Sequence, residues 1–156
     1  MKWLNKDLIQ YIQAKEYVDT IIVPLMPFHL SNEKELLKSG FQGEALSIFV
    51  NEIEKELTGR IMVTPTYTYL KNKDKLKEIT RLNEWKEDIS AQPFNHTFFI
   101  TFDSNWKKHE PNIDGTLLWL PGMQTGDLYS QEMQGVIQDQ VHQISELIRS
   151  YWETMD

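Results

Sequence analysis

The sequence predicts an α/β protein: a three-layer α/β/α sandwich of about four mostly parallel strands, flavodoxin-like or Rossmann-like, with a long C-terminal helix. Three observations predict it. The runs Ile21-Ile22-Val23, Ile61-Met62-Val63 and Leu117-Leu118-Trp119-Leu120 are short and apolar throughout, as suits strands covered on both faces. Each run is closed by a proline, Pro24, Pro65 (after Thr64) or Pro121, and a residue that cannot donate to a central ladder fits a strand end. Between the runs lie segments of helical periodicity, and strand–helix–strand alternation belongs to a parallel sheet with helices on its faces. Parallel strands put the three prolines along the carboxyl edge, where open α/β sheets place their ligands.

The elements follow in order. Leu4, Leu8, Tyr11 and Ile12 mark an amphipathic helix over 5–16, with Asn5 as its N-cap and Asp7 in the favourable first turn. Its polar face mixes Lys6, Asp7, Lys15 and Glu16 without a basic bias, which suits packing on its own sheet and not on a lipid surface. After the first strand, Ser31 or Asn32 is placed to cap a short helix ending near Gly40. Leu46, Phe49, Val50, Ile53 and Leu57 then form the stripe of a helix over 43–58, ended by Gly59 before the second strand.

Leu76, Ile79, Leu82, Trp85 and Ile89 give the next helix, over 74–90; Pro93 blocks its continuation and His96–Phe102 reads as the third strand. The connection 103–114 is turn-like, and its length leaves the direction of the fourth strand open. Met133, Ile137, Val141, Ile144, Ile148, Tyr151 and Met155 run along a final helix over 129–155, widened by Val136, Leu147 and Trp152. A stripe that wide covers a sheet face. The far end of this helix offers a surface to a second copy, so a homodimer is one expected arrangement.

At 156 residues and 40% apolar, the chain reads as one domain, 1–156, able to bury a core without staples. It has no cysteine, which excludes disulfides, thiolate catalysis and thiolate metal sites. A net charge of −7 argues against nucleic acid as a partner, since that affinity comes from clustered Lys and Arg. Lys71, Lys73, Lys75 and Lys77 are interleaved with Asp74 and Glu78 and read as a solvated loop entering a helix. The N-terminus lacks a secretory signal, and no stretch approaches the ~20 apolar residues that span a bilayer. The expected location is the cytoplasm, with no membrane association.

No strong chemical signature is present. Met26-Pro27-Phe28-His29 follows the first strand in place of a glycine-rich turn, which excludes dinucleotide and Walker phosphate cradles, and no cofactor is expected. Neither a nucleophile elbow nor a metal-binding H-E-x-x-H helix occurs. What remains is a set of polar residues just past the strand ends: His29, then Tyr67 and Tyr69, then Asp103 and Ser104, then Gln124, Thr125 and Asp127. These are the candidate ligand-binding residues. His29 and Asp103, on neighbouring strand ends, are the candidate catalytic pair, a general base with its orienter. Asp103 and Ser104 are equally ordinary turn and N-cap residues. Asp139, His142 and Glu146 share a face of the last helix, but a di-metal bundle needs a second such motif; no metal site is expected. Trp106, in the polar stretch Asn105–His109, is the candidate partner anchor, or else folds back over the end of the sheet.

Three stretches together resemble the YpiF-like family of uncharacterised proteins from Bacillus and its relatives. They are Leu57–Leu70, Phe99–Trp106 and Leu117–Pro121. The likeness runs over most of the chain, and its motifs are strand ends. It implies a small cytoplasmic protein of spore-forming Gram-positive bacteria, and no activity. Tyr67, Asp103 and Trp106 fall inside these stretches, without an assigned role.

The expected function is a non-enzymatic α/β binding or regulatory module that holds a small ligand or a protein at the carboxyl edge of its sheet or at the Trp106 loop. The rival readings are a hydrolase or transferase of small metabolites at the carboxyl edge of the sheet, and a structural or dimerising subunit.

Overall fold

Strand β1 (Thr20–Phe28) is the spine of a wholly parallel sheet in the computed structural model, which describes residues 1–122 and 126–155. On one side β1 pairs with β4 (His96–Thr101), which pairs in turn with β5 (Thr116–Trp119). On the other side its first half pairs with β2 (Ile61–Val63) and its second half with β3 (Tyr67–Leu70). The order is therefore β2/β3-β1-β4-β5, five strands where about four were expected, because the second strand is split in two. The direction left open by the sequence is settled: β5 is parallel to β4.

Pro24 does not end β1; the strand runs on to Phe28. The register explains why a proline is tolerated inside a central strand. Thr20 donates its N–H to Arg60 and Ile22 accepts from Thr64, so the even-numbered residues of β1 face β2 and β3. The missing N–H of Pro24 therefore faces the interruption at 64–66, where no ladder is made. The register also advances there by one residue, from Ile22↔Val63 to Leu25↔Tyr67.

The helices are α1 (Asn5–Gln13), α2 (Leu36–Glu56), α3 (Leu76–Ile89) and α4 (Gln131–Met155), with a long 3-10 segment at Ser104–Asn112. Alternation of β1 side chains separates two cores. Ile22, with Phe98, Ile100 and Leu118, packs under α2 (Leu46, Phe49, Ile53) and α4 (Ile137, Val141, Ile148). Val23 and Leu25, with Phe99 and Leu117, face α3 (Ile79, Leu82) and Trp106 of the 3-10 segment. Tyr11 of α1 joins Val18, Ile21 and Met62 in a third cluster. Each such fully buried Ile, Leu or Phe contributes about 1.5–3 kcal/mol.

The two helices expected between β1 and β2 are one. Helix α2 passes through Gly40 and Gly43 without a break, and neither has a positive φ. A Cβ at Gly43 would lie 2.8 Å from the Met26 sulfur, so this glycine lets the helix approach the end of β1, whereas a Cβ at Gly40 would meet nothing within 4 Å.

The amino edge of the sheet is closed by a polar clamp. Arg60 donates two bonds of 3.0 Å to Asp19, and its guanidinium lies 4.1 Å from the centre of the Trp152 ring. Trp152 in turn donates its indole N–H to Thr20 Oγ1 at 2.7 Å. No helix of the described residues is long and apolar enough to cross a membrane.

Candidate functional site

The opposite, carboxyl edge is open. From the carboxyl end of β1 the chain leaves through α2 on one face and reaches β2 on one side; from the carboxyl end of β4 it leaves through the 3-10 segment on the other face and reaches β5 on the other side. The two crossovers diverge between the carboxyl ends of β1 and β4. A cleft of about 220 Å³ lies at that point. Its walls are Met26 and Pro27 of β1, Lys38, Ser39 and Gln42 from the start of α2, Lys71 after β3, and 102–105 after β4.

Asp103 stands on one wall, held from three directions. Tyr69 donates its hydroxyl to Asp103 Oδ2 at 2.6 Å, and Lys75 Nζ lies 3.5 Å from the same oxygen. Oδ1 accepts the N–H of Asn105 at 3.0 Å, which starts the 3-10 segment. Trp106 completes the group by donating its indole N–H to Tyr69 Oη at 2.8 Å. The Lys75 ammonium also sits 4.8 Å from the centre of the Tyr69 ring. Burial, reinforced by the Asp103 charge and hydrogen bond, pushes the Tyr69 hydroxyl far above its ordinary pKa, so it stays a donor. Tyr67 is raised in the same way, by burial and then by Glu78, to which it donates at 3.1 Å.

His29 follows β1 and is buried, with Nε2 hydrogen-bonded to Ser39 Oγ at 2.8 Å. Its Nδ1 has no hydrogen-bond partner among the described residues. Ser39 borders both the switch-point cleft and the neighbouring pocket that contains His29. The expected His29–Asp103 pair is thus not formed: each side chain is bound to other partners, and an Asp103 already accepting from Tyr69 and Asn105 orients no imidazole.

The other candidates are placed as follows. Ser104 lines the cleft. Tyr67 and Tyr69 do not follow a strand in a loop but form β3, their rings buried toward α3. Asp127 is exposed and accepts the N–H of Tyr129 ahead of α4, away from the cleft. Gln124 and Thr125 lie outside the described residues. Trp106 is 0% exposed, a core residue and not an exposed anchor, because its ring closes the α3 core while its N–H finds Tyr69. Lys75 is not solvated either: it is 5% exposed against Asp103.

The sequence alone does not point to several residues of the site. Lys38, Ser39 and Gln42 carry no motif and are found only through the path of α2; Lys71 and Lys75 are hidden in a run of alternating charge. His142 of α4 is exposed and pairs with Glu56 at 3.1 Å. Among the described residues no group of three or more His, Cys, Asp or Glu side chains is placed to hold a metal ion.

Comparison with known proteins agrees with the resemblance carried by the strand ends. The model of the family described as "Protein of unknown function (DUF2487)" matches residues 9–152. The chain belongs to this family. It is also similar to "Uncharacterized protein YpiF" of Bacillus subtilis (strain 168), with 25% identity over 157 residues that cover 99% of this chain and 100% of that one. No solved structure matches. The DUF2487 match takes in β1, α2 and 102–105, the elements that build the cleft.

Proposed function

We propose that this protein is a non-enzymatic binding module that holds a small anion-bearing metabolite in the cleft between the ends of β1 and β4. The observation that carries the reading is position: the cleft occupies the point where the crossovers diverge, which is where open α/β sheets bind ligands. Its lining supplies the recognition. Lys38, exposed and without an ion-pair partner among the described residues, and Lys71 give positive charge; Ser39, Gln42 and Asn105 give hydrogen bonds. Lys71 is shared with Glu35 at 3.4 Å, a partly exposed pair of the kind that an incoming anion displaces cheaply. Asp103 opposes such a ligand little, because Lys75 balances its charge and the neutral Tyr69 hydroxyl hydrogen-bonds the same oxygen.

Native mass spectrometry of the purified protein tests this. The expected result is a small adduct that denaturation releases and that the cleft-filling variant Gln42→Trp lacks. An adduct retained by that variant would place the ligand elsewhere.

One observation favours a second reading, a hydrolase or transferase: Ser39 and His29 form a serine–histidine pair at 2.8 Å beside the cleft. Against it, no third side chain among the described residues orients Nδ1 of His29. Covalent labelling by a fluorophosphonate separates the readings. Loss of labelling in both Ser39→Ala and His29→Ala supports the enzyme, and no labelling of the native chain supports the binding module.

A further inference from the structure

A second cavity lies on the other side of the molecule. It is a groove of about 630 Å³ between α1, α3 and the β2 edge of the sheet, within the range of small-molecule sites. Its walls are aromatic and aliphatic. Trp3, Tyr11, Trp85 and Phe94 all line it, with Tyr11 and Phe94 stacked at 5.6 Å between ring centres. The Tyr11 hydroxyl is already used, donating to Gln92 at 2.9 Å. Trp3 and Ile12 are 56% and 66% exposed beside the groove, a large apolar surface to leave in water.

Among the described residues, the only charged side chains in this lining are Glu84 and Asp88. They stand one turn apart on α3, at the i, i+4 spacing that puts two residues on one face. Both are exposed, and neither has an ion-pair partner among the described residues. No Lys or Arg of the described residues lines the groove. A neutral occupant would partly desolvate both carboxylates without compensation, and an anionic one would be repelled. A cation joined to an apolar body satisfies the whole surface: the body fills the groove, the ammonium meets the carboxylates, and the tryptophan faces add cation–π attraction.

We propose that the groove between α1 and α3 is a binding site for a hydrophobic cation, an aromatic or aliphatic amine whose ammonium group lies against Glu84 and Asp88. This site is separate from the switch-point cleft and does not depend on its occupant.

The test uses three probes of one shape on the full chain: 2-(1-naphthyl)ethylamine, 2-(1-naphthyl)ethanol and 1-naphthylacetate. Calorimetry gives affinities, and the indole N–H signals of Trp3 and Trp85 give location. The amine is expected to bind about fivefold or more tighter than the alcohol, with the acetate weakest, and to shift both indole signals. In Glu84→Gln/Asp88→Asn the amine should lose that advantage while the alcohol keeps its affinity, which also shows that the variant is folded. Equal affinities for the three probes, an amine preference that survives the double substitution, or no binding at millimolar concentration would overturn the proposal. So would a dimer in sedimentation that closes the groove and excludes the amine.

Discussion

Tyr69 of the edge strand β3 donates its hydroxyl to Asp103, at the end of β4, across 2.6 Å. This contact spans the carboxyl end of β1 and holds the wall of the cleft in place, because the same hydroxyl accepts from Trp106 and the same carboxylate meets Lys75. Replacing Tyr69 by Phe leaves the buried Trp106 N–H without its acceptor and strips Asp103 Oδ2 of its short hydrogen bond, with Lys75 at 3.5 Å remaining. The expected cost is about 1–3 kcal/mol, read from chemical denaturation. A variant as stable as the parent would show that this network does not hold the wall.

Lys75 is the counter-charge of that network. Lys75→Met leaves the Asp103 carboxylate buried without a cation and should destabilise by about 3–5 kcal/mol. Lys75→Met/Asp103→Asn should recover part of the loss, since the double variant buries no charge. A double-mutant cycle measures the coupling, and strict additivity would contradict it.

Alkaline titration reports the same region. The chain has six tyrosines. Tyr69 and Tyr67 are held well above the ordinary range by burial and by their carboxylate partners, so they remain protonated when exposed tyrosines ionise near pH ~10. Their contribution is complete below the unfolded pKa and is lost as pH rises above it, because only the unfolded state then releases the proton. Absorbance at about 295 nm should therefore show an incomplete phenolate signal in the native state, and the remainder should appear together with unfolding. Full ionisation of a still-folded chain would contradict the assignment.

Acid acts at the opposite edge. Burial would raise the Asp19 carboxyl, but the hydrogen bonds from Arg60 and Thr20 and the Arg60 charge outweigh it and hold the group below its usual pKa. A depressed carboxylate gives stability that is present above the unfolded pKa of ~3.9 and disappears as pH falls through the folded value. Asp19→Asn should therefore flatten the stability profile below pH ~5, where the parent chain declines.

The two glycines of α2 make a paired prediction. Gly40→Ala meets open space and should stabilise by about 0.5–1 kcal/mol through helix propensity. Gly43→Ala should fail to give that gain, because its Cβ would stand 2.8 Å from the Met26 sulfur. Thermal melts of both variants decide it.

Much of this fold is legible in the amino-acid sequence because its signals are local. The apolar runs at 21–23, 61–63 and 117–119 are strands, and the stripes through Phe49, Leu82 and Val141 are buried helix faces. What is not legible depends on the neighbouring chain. Pro24 looks like a strand end until one knows that its nitrogen faces the break between β2 and β3. Gly40 looks like a helix stop until Gly43 is seen holding the same helix against Met26. The carboxyl edge was indicated by His29, Asp103 and Ser104, but their partners Ser39, Tyr69 and Lys75 come from other elements and carry no spacing signal.

The most direct test of the switch-point cleft is an amide chemical-shift map of the full chain during titration with a panel of small organic anions and inorganic phosphate. The predicted result is one saturable ligand whose shifts gather on Met26, Lys38, Ser39, Gln42 and Asn105 and disappear in Gln42→Trp. Saturable binding that maps away from these residues, or none across the panel, would contradict the account.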